Sequence, residues 1–230
     1  MDGIEQEIRD ALFALQDTAY RDFNARLIPT VDKAAVIGVR VPQVRALAKR
    51  LAAEKRDVSP FLDALPHRYF EENGVHAALV EGMRDFGDCM ARTEQFLPFI
   101  DNWATCDTLS PRIFGRHKAA LRERIPSWLA SAHPYTVRFG IGMLMKWFLD
   151  DDFFPACLDW VAAVRSDEYY VRMMQAWFVA TALAKQYDAT IPYLEQKKLD
   201  PWTHNKAIQK ARESLRVSDG RKVYVQSLKI

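Results

Sequence analysis

Residues 43–51, Gln43-Val-Arg-Ala-Leu-Ala-Lys-Arg-Leu51, carry the pattern that decides the predicted fold. Their apolar residues recur at steps of three and four, which places them on one face of an amphipathic α-helix. Residues 4–15 repeat this periodicity around Ile4, Ile8 and Leu12. Further runs predict helices over 67–86, 93–103, 109–123, 134–149, 154–165, 168–186 and 202–216. Residues 221–225 hint at a period of two but fit a last helix equally well, so we predict an all-α fold.

Proline residues separate these runs, and we expect each of them near a helix N-terminus, where the missing N–H costs little. They are Pro60, Pro66, Pro126, Pro134, Pro155, Pro192 and Pro201. About ten helices with short connections form either a compact helical globule or a stack of helix pairs, and the proline spacing favours the stack. We therefore predict one domain over 1–230, a superhelical solenoid of antiparallel helix pairs with a concave basic groove.

Composition excludes several classes of protein. The 230 residues are 49% hydrophobic and 27% charged, which is typical of a globular protein rather than a disordered or collagenous one. No stretch approaches the roughly 18 apolar residues of a membrane span, so we predict no membrane partner. The N-terminus carries acidic residues where a signal peptide needs basic ones. We predict a cytoplasmic protein, of the bacterial cytosol or nucleoid type.

The cysteines and the known motifs indicate neither a metal site nor a common enzyme class. Cys89, Cys106 and Cys157 are odd in number and far apart, which predicts buried reduced thiols rather than disulfides or zinc ligands. The sequence also lacks a P-loop, G-x-G-x-x-G, H-E-x-x-H and G-x-S-x-G, which removes the usual support for nucleotide, zinc-protease and hydrolase functions.

The formal net charge is only +2, but the basic residues are concentrated in three segments. These segments are 40–56, 112–124 and 197–222, and an acidic run, Asp150–Asp152, lies between the second and third. If the chain winds so that the segments align, they form a surface suited to DNA. Each segment taken alone is explained by a solvated helix face.

A few residues could carry chemistry. Trp103 and Asp107 are four residues apart, so a helix points both side chains to the same side. Arg138 lies in an apolar helix, where it needs an acid such as Asp107 or reaches a phosphate. Trp103 and Trp177 could equally be packing residues. His204, at the start of a basic helix, could cap the helix, contact a phosphate or make a structural polar contact.

Taken together, these segments resemble the AlkD family of DNA alkylation repair glycosylases. The resemblance rests on Val36-Ile-Gly-Val-Arg-Val-Pro-Gln-Val-Arg45, the W-x-x-x-D of Trp103 to Asp107, the R-x-x-I of Arg138 to Ile141, Trp177, and the basic helix 205–214. The motifs extend over nearly the whole chain, and they occur in the same order and with approximately the same spacing as in the family. The resemblance implies HEAT-like helical repeats whose concave face holds duplex DNA containing alkylated purines.

The resemblance also implies a reaction. A glycosylase of this kind hydrolyses the N-glycosidic bond of a positively charged N3- or N7-alkylpurine, without a metal or organic cofactor and without a base-flipping pocket. Asp107 would stabilise the oxocarbenium-like sugar and assist the water, Trp103 and Trp177 would flank the deoxyribose, and Arg138 would hold the nearby phosphate. The DNA-binding residues that we predict are Arg40, Arg45, Lys49, Arg112, Arg116, His204, Lys206 and Lys210. We predict a monomer.

Two positions depart from the pattern of the family. Ala104 stands where the resemblance suggests an acid, and Ala180 where it suggests an arginine. A paralogue that binds damaged or distorted DNA without cleavage is therefore one alternative. The modest net charge leaves a second, a helical-repeat scaffold for another protein, which would present an apolar groove rather than a basic one.

Overall fold

A computed structural model describes residues 3–230, and these residues form helices joined by short loops. Their α-helices are α1 (Gly3–Phe13), α2 (Thr18–Ala25), α3 (Val41–Ala53), α4 (Ser59–Asp63), α5 (Phe70–Glu81), α6 (Phe86–Phe96), α7 (Trp103–Thr108), α8 (Lys118–Leu129), α9 (Pro134–Trp147), α10 (Ala156–Ala163), α11 (Tyr169–Lys185), α12 (Tyr187–Glu195), α13 (Pro201–Glu213) and α14 (Asp219–Ser227). Short 3-10 helices cover Lys33–Ala35, Leu97–Phe99 and Arg112–Arg116. The described residues contain no strand, and the prediction of an all-α fold is confirmed.

Side-chain caps decide where several helices begin. Asp17 precedes α2 and accepts a hydrogen bond from the backbone N–H of Tyr20, and Asp85 caps α6 in the same way. Asn102 caps α7, and Asp200 accepts from two backbone N–H groups in the first turn of α13. These polar side chains satisfy backbone donors that a helix N-terminus leaves without a partner.

The helix boundaries differ from the predictions in the middle of the chain. In place of helices over 93–103 and 109–123, the structure has α6, α7 and α8, because Asn102 caps α7 and a 3-10 helix, Arg112–Arg116, separates α7 from α8. Pro126 and Pro192 lie inside α8 and α12 rather than near an N-terminus, which corrects the prediction for these two residues. Pro126 is tolerated there because burial of the apolar face of α8 outweighs one missing hydrogen bond.

Contacts divide the chain into two compact units, the first ending at His117 and the second covering Lys118–Ile230. In the first unit α3, α5 and α7 are successive neighbours; in the second the row is α9, α11 and α13. Neighbouring helices that alternate along the chain are what a stack of helix pairs produces. The solenoid and the single domain over 1–230 remain predictions, and residues 1 and 2 of that domain lie outside the described residues.

A buried carboxylate holds the loop before α3. Both oxygens of Glu71 accept backbone hydrogen bonds, from the N–H groups of Ile37 at 2.8 Å, Gly38 at 2.7 Å and Val39 at 3.2 Å. Gly38 has φ +99°, and a Cβ there would lie 2.4 Å from the carbonyl oxygen of Asp17. The loop therefore needs glycine at this position and an acceptor on α5.

The three cysteines are buried and form no disulfide, as predicted. Burial raises the pKa of Cys89 to about 11 and that of Cys157 to about 12, so these thiols stay protonated. Within 3–230, no α-helix has both the length and the apolar character that crossing a membrane requires.

Candidate functional site

The short helix α7 positions Trp103 and Asp107. Asn102 Oδ1 accepts a hydrogen bond of 2.8 Å from the N–H of Thr105, which starts the helix directly before Trp103. Asp107 follows one turn later with its side chain exposed, while Trp103 is half-buried. The structure thus places a carboxylate one helical turn from an indole, as the i and i+4 spacing predicts.

The indole of Trp103 is held in a fixed orientation. Its Nε1–H donates a hydrogen bond of 2.9 Å to the carbonyl oxygen of Leu27. The ring also packs against a small apolar cluster of Ile28, Val31 and Val36, which Ala104 contacts too. Ala104 therefore has a packing role where the family pattern suggests an acid.

Arg138 lies within α9 and is only 5% exposed. Its Nη1 donates a hydrogen bond of 2.7 Å to the carbonyl oxygen of Tyr170, in the first turn of α11. The guanidinium thus joins α9 to the start of α11. Its predicted contact with a phosphate of the DNA stays a prediction.

Trp177 is on α11 and is 44% exposed, although most of the other side chains on this helix are buried. Its neighbour Ala180 is 5% exposed and belongs to the buried side of α11. Ala180 therefore packs inside the protein at the position where the family pattern suggests an arginine.

Basic residues that are distant in sequence meet in the first unit. Arg45 and Lys49 of α3 line one groove together with Arg84, Arg112 and Arg116, and the groove has a volume of about 930 Å³. We call it the basic groove. The segments 40–56 and 112–124 are thus brought to one surface, as the charge pattern predicts for these two. Arg84, from the loop after α5, was not predicted.

One acidic residue, Glu81, lies in the basic groove. Its Oε2 is 3.0 Å from Nη1 of Arg45, and its Oε1 is 4.0 Å from Nε of Arg112. Its side chain is 13% exposed, whereas that of Arg112 is 84% exposed. Glu81 therefore orients the Arg45 guanidinium and leaves the groove with a surplus of positive charge. Its position at the end of a buried helix gave no sequence signal.

Arg40 does not line this groove. It precedes α3, where its Nη2 bonds to Asp17 Oδ2 at 3.0 Å and its guanidinium lies 4.4 Å from the ring centroid of Tyr20.

The basic segment of the second unit contains residues with different roles. His204 is fully buried, and its Nε2 lies 2.9 Å from the carbonyl oxygen of Leu228, which is the structural polar contact that the sequence left open. Lys206 and Lys210 are half-buried on α13. The Nζ of Lys206 donates to Gln209 and lies 5.7 Å from the ring centroid of Trp202.

Within the described part of the chain, no group of three His, Cys, Asp or Glu side chains could hold a metal ion.

An all-α protein with a groove that holds five cations has the electrostatic features of one that binds a polyanion. Residues 8–211 match the sequence model of a family described as DNA alkylation repair enzyme, and the chain belongs to this family. Membership confirms the resemblance found in the sequence and identifies DNA as the partner. A comparison with curated proteins gave no match.

Proposed function

We propose that this DNA alkylation repair protein is a glycosylase that hydrolyses the N-glycosidic bond of positively charged N3- and N7-alkylpurines in duplex DNA. The observation that carries the proposal is the exposed carboxylate of Asp107, one turn from the anchored indole of Trp103. The substrate class is the one that the resemblance to the AlkD family implies, and it suits a carboxylate, because a base that is already cationic can leave without being protonated.

The proposed reaction requires one carboxylate from the protein, because the cationic base is already a good leaving group. The bond between C1′ and the purine nitrogen breaks, and the cationic base leaves as a neutral molecule with the bonding electrons. Positive charge develops on the sugar, where the Asp107 carboxylate stabilises it, and water adds to C1′ and loses a proton to this carboxylate or to solvent. A preorganised charge of this kind contributes roughly 100-fold or more to a rate.

The indoles have the complementary role. The hydrogen bond from Trp103 to the Leu27 carbonyl holds the ring in place, and the part of the ring that is not packed against the apolar cluster would meet a cationic sugar. Trp177, exposed on α11, would supply a second π face. Each such contact is worth on the order of 0.5 to 2 kcal/mol, so the two indoles assist the carboxylate rather than replace it.

The basic groove supports DNA binding and not the scaffold alternative. A docking surface for a helical protein partner would be apolar, whereas this groove holds five cations and one carboxylate. Arginine and lysine at such a density bind phosphates and release counterions, so binding should weaken steeply as the salt concentration rises.

The test measures release of N7-methylguanine from a duplex under single-turnover conditions. The wild-type protein should release the base, Asp107→Asn should be slower by roughly 100-fold, and Asp88→Asn, which changes an exposed acid on α6, should match wild type. If Asp107→Asn releases base as fast as wild type, the proposed catalytic role is wrong. Salt-dependent binding of duplex DNA with no base release would favour the non-catalytic paralogue.

A further inference from the structure

A row of aromatic residues crosses the start of α11 and reaches α13. The ring of Tyr169 lies 5.2 Å from that of Tyr170 and 5.7 Å from that of Trp202, with an edge-to-face arrangement in both pairs. Tyr169 is 54% exposed and Trp202 is half-buried. We call Tyr169 and Trp202 the aromatic pair.

The framework beneath the aromatic pair is well fixed. Arg172 Nη2 bonds to Asp200 Oδ1 at 2.6 Å, and its guanidinium lies 4.8 Å from the ring centroid of Trp202. Arg138 holds the carbonyl of Tyr170 at the adjacent position. The pair is therefore exposed on rigid helix ends, which lowers the entropic cost of binding a ligand there.

Two lysines continue the surface along α13. Trp202, Lys206 and Lys210 are at positions i, i+4 and i+8, so they lie along the same side of the helix. Over residues 3–230, no carboxylate lies within 4.0 Å of either ammonium group. Both charges thus remain available to an anion.

The direction of the helices relates the aromatic pair to Trp177. Because the aromatic pair and the Arg172–Asp200 ion pair both join N-terminal ends, α11 and α13 run in the same direction where they pack together. Trp177 and Lys210 each lie eight residues, about 12 Å, farther along their helices than Tyr169 and Trp202. Aromatic and cationic groups therefore alternate on a surface that extends from Trp177 to the helix ends.

We propose that the aromatic pair binds an unpaired nucleobase of the bound DNA, with Lys206 and Lys210 neutralising its phosphates. The inference rests on the proposed function for its partner, DNA. Every base presents a π face, and aromatic rings interleaved with cations are the chemistry that binds single-stranded nucleic acid without sequence preference. A protein with this surface prefers lesions in duplexes that are gapped, mismatched or otherwise locally open.

The experiment measures dissociation constants for three labelled undamaged probes: a continuous duplex, the same duplex with a three-nucleotide unpaired bulge, and a single strand. Wild type should bind the bulged duplex at least fivefold more tightly than the continuous one, a difference of about 1 kcal/mol. Tyr169→Ala should lose this preference without a change in affinity for the continuous duplex, and Tyr169→Phe should keep it.

Tyr224→Ala is the matched control, because Tyr224 is an exposed tyrosine of the same unit on α14. If wild type shows no preference, if Tyr169→Ala weakens both duplexes equally, or if Tyr224→Ala has the same effect, the proposal is wrong. Binding to none of the probes would also overturn it. Base release from a continuous N7-methylguanine duplex, measured in parallel, tests the glycosylase proposal separately, since Tyr169→Ala should retain that activity.

Discussion

The Nε1–H of Trp103 donates a hydrogen bond of 2.9 Å to the carbonyl oxygen of Leu27, which ties the α7 indole to the loop after α2. Trp103→Phe keeps an aromatic face but loses this donor. We expect the melting temperature to fall by about 2–4 °C, as for the loss of one hydrogen bond of about 1 kcal/mol. Base release should fall by roughly tenfold or more, because the ring is no longer held in place. Scanning calorimetry and single-turnover kinetics measure the two effects. A lower melting temperature with an unchanged rate of base release would show that the hydrogen bond to Leu27 contributes to stability but not to catalysis.

Glu81 in the basic groove should oppose DNA binding. Glu81→Gln removes the negative charge but keeps an oxygen that can accept from Arg45, so binding of duplex DNA should tighten by roughly threefold to fivefold at low salt. The gain should shrink as salt screens the groove. Glu54→Gln, a change at an exposed acid that pairs with Arg50 outside the groove, is the control and should have little effect. Weaker binding by Glu81→Gln would mean that the carboxylate is needed to orient Arg45.

Lys49 should account for one phosphate contact. Lys49→Gln is expected to reduce the slope of log K against log salt by about 1 and to weaken binding equally for different DNA sequences. Fluorescence anisotropy at several salt concentrations measures the slope. Lys55→Gln removes the same charge outside the groove lining and should leave the slope almost unchanged. Equal slopes for the two variants would remove the groove from the DNA-binding surface.

The sequence predicts the features of this protein that depend on local spacing. The helices around 43–51 and 134–149 follow from apolar periodicity, and the position of Asp107 one helical turn from Trp103 follows from their separation. Helices α2, α4, α7 and α12 were not predicted, because segments of five to nine residues depend on caps and packing rather than on their own periodicity.

The sequence could not predict the positions of residues that come together only when distant segments pack against each other. Glu81 and Arg84 enter the basic groove only because α3 and α5 pack together beside the turn 112–116. His204 resembles an exposed member of a basic helix, yet the last residues of the chain bury it. No pattern within a single helix carries this information, since it depends on contacts between distant segments.

The buried carboxylate of Glu71 should be a major contributor to stability. Glu71→Gln keeps the shape but turns one acceptor oxygen into an NH₂ donor that faces the backbone N–H groups of residues 37–39. We expect a loss of about 2–4 kcal/mol in the free energy of unfolding, since hydrogen bonds to a charged group are worth about 1.5–3 kcal/mol each. Urea denaturation measures the loss. Glu123→Gln, at an exposed position of α8, should cost almost nothing, and equal stability of the two variants would contradict this role.

A pair of histidines, of which His67 is half-buried and His76 is buried, should make the protein sensitive to mild acid. His67 Nε2 and His76 Nδ1 are 2.9 Å apart, and each ring is stacked on a phenylalanine, Phe61 and Phe96 respectively. The short contact requires one nitrogen to donate and the other to accept, which two neutral rings satisfy and two charged rings cannot. Burial lowers the pKa of His67 to about 4, with a smaller effect from the charge of Arg9. Burial also lowers the pKa of His76, and the neighbouring His67 lowers it further.

The sign of the pH dependence follows from these lowered pKa values. In the unfolded chain both histidines bind a proton as the pH falls through about 6.5. In the folded protein they bind it only at lower pH, so acid favours the unfolded state. Stability should be complete above about pH 6.5 and should fall by about 1.4 kcal/mol per pH unit for each histidine as the pH drops towards 4. Urea midpoints at pH 7.5, 6 and 5 test this in a range where most carboxylates stay ionised. The double variant His67→Phe, His76→Phe keeps the stacked rings without the titrating groups, and its midpoint should change much less over this range. A fall as steep as that of wild type would locate the acid sensitivity elsewhere in the protein.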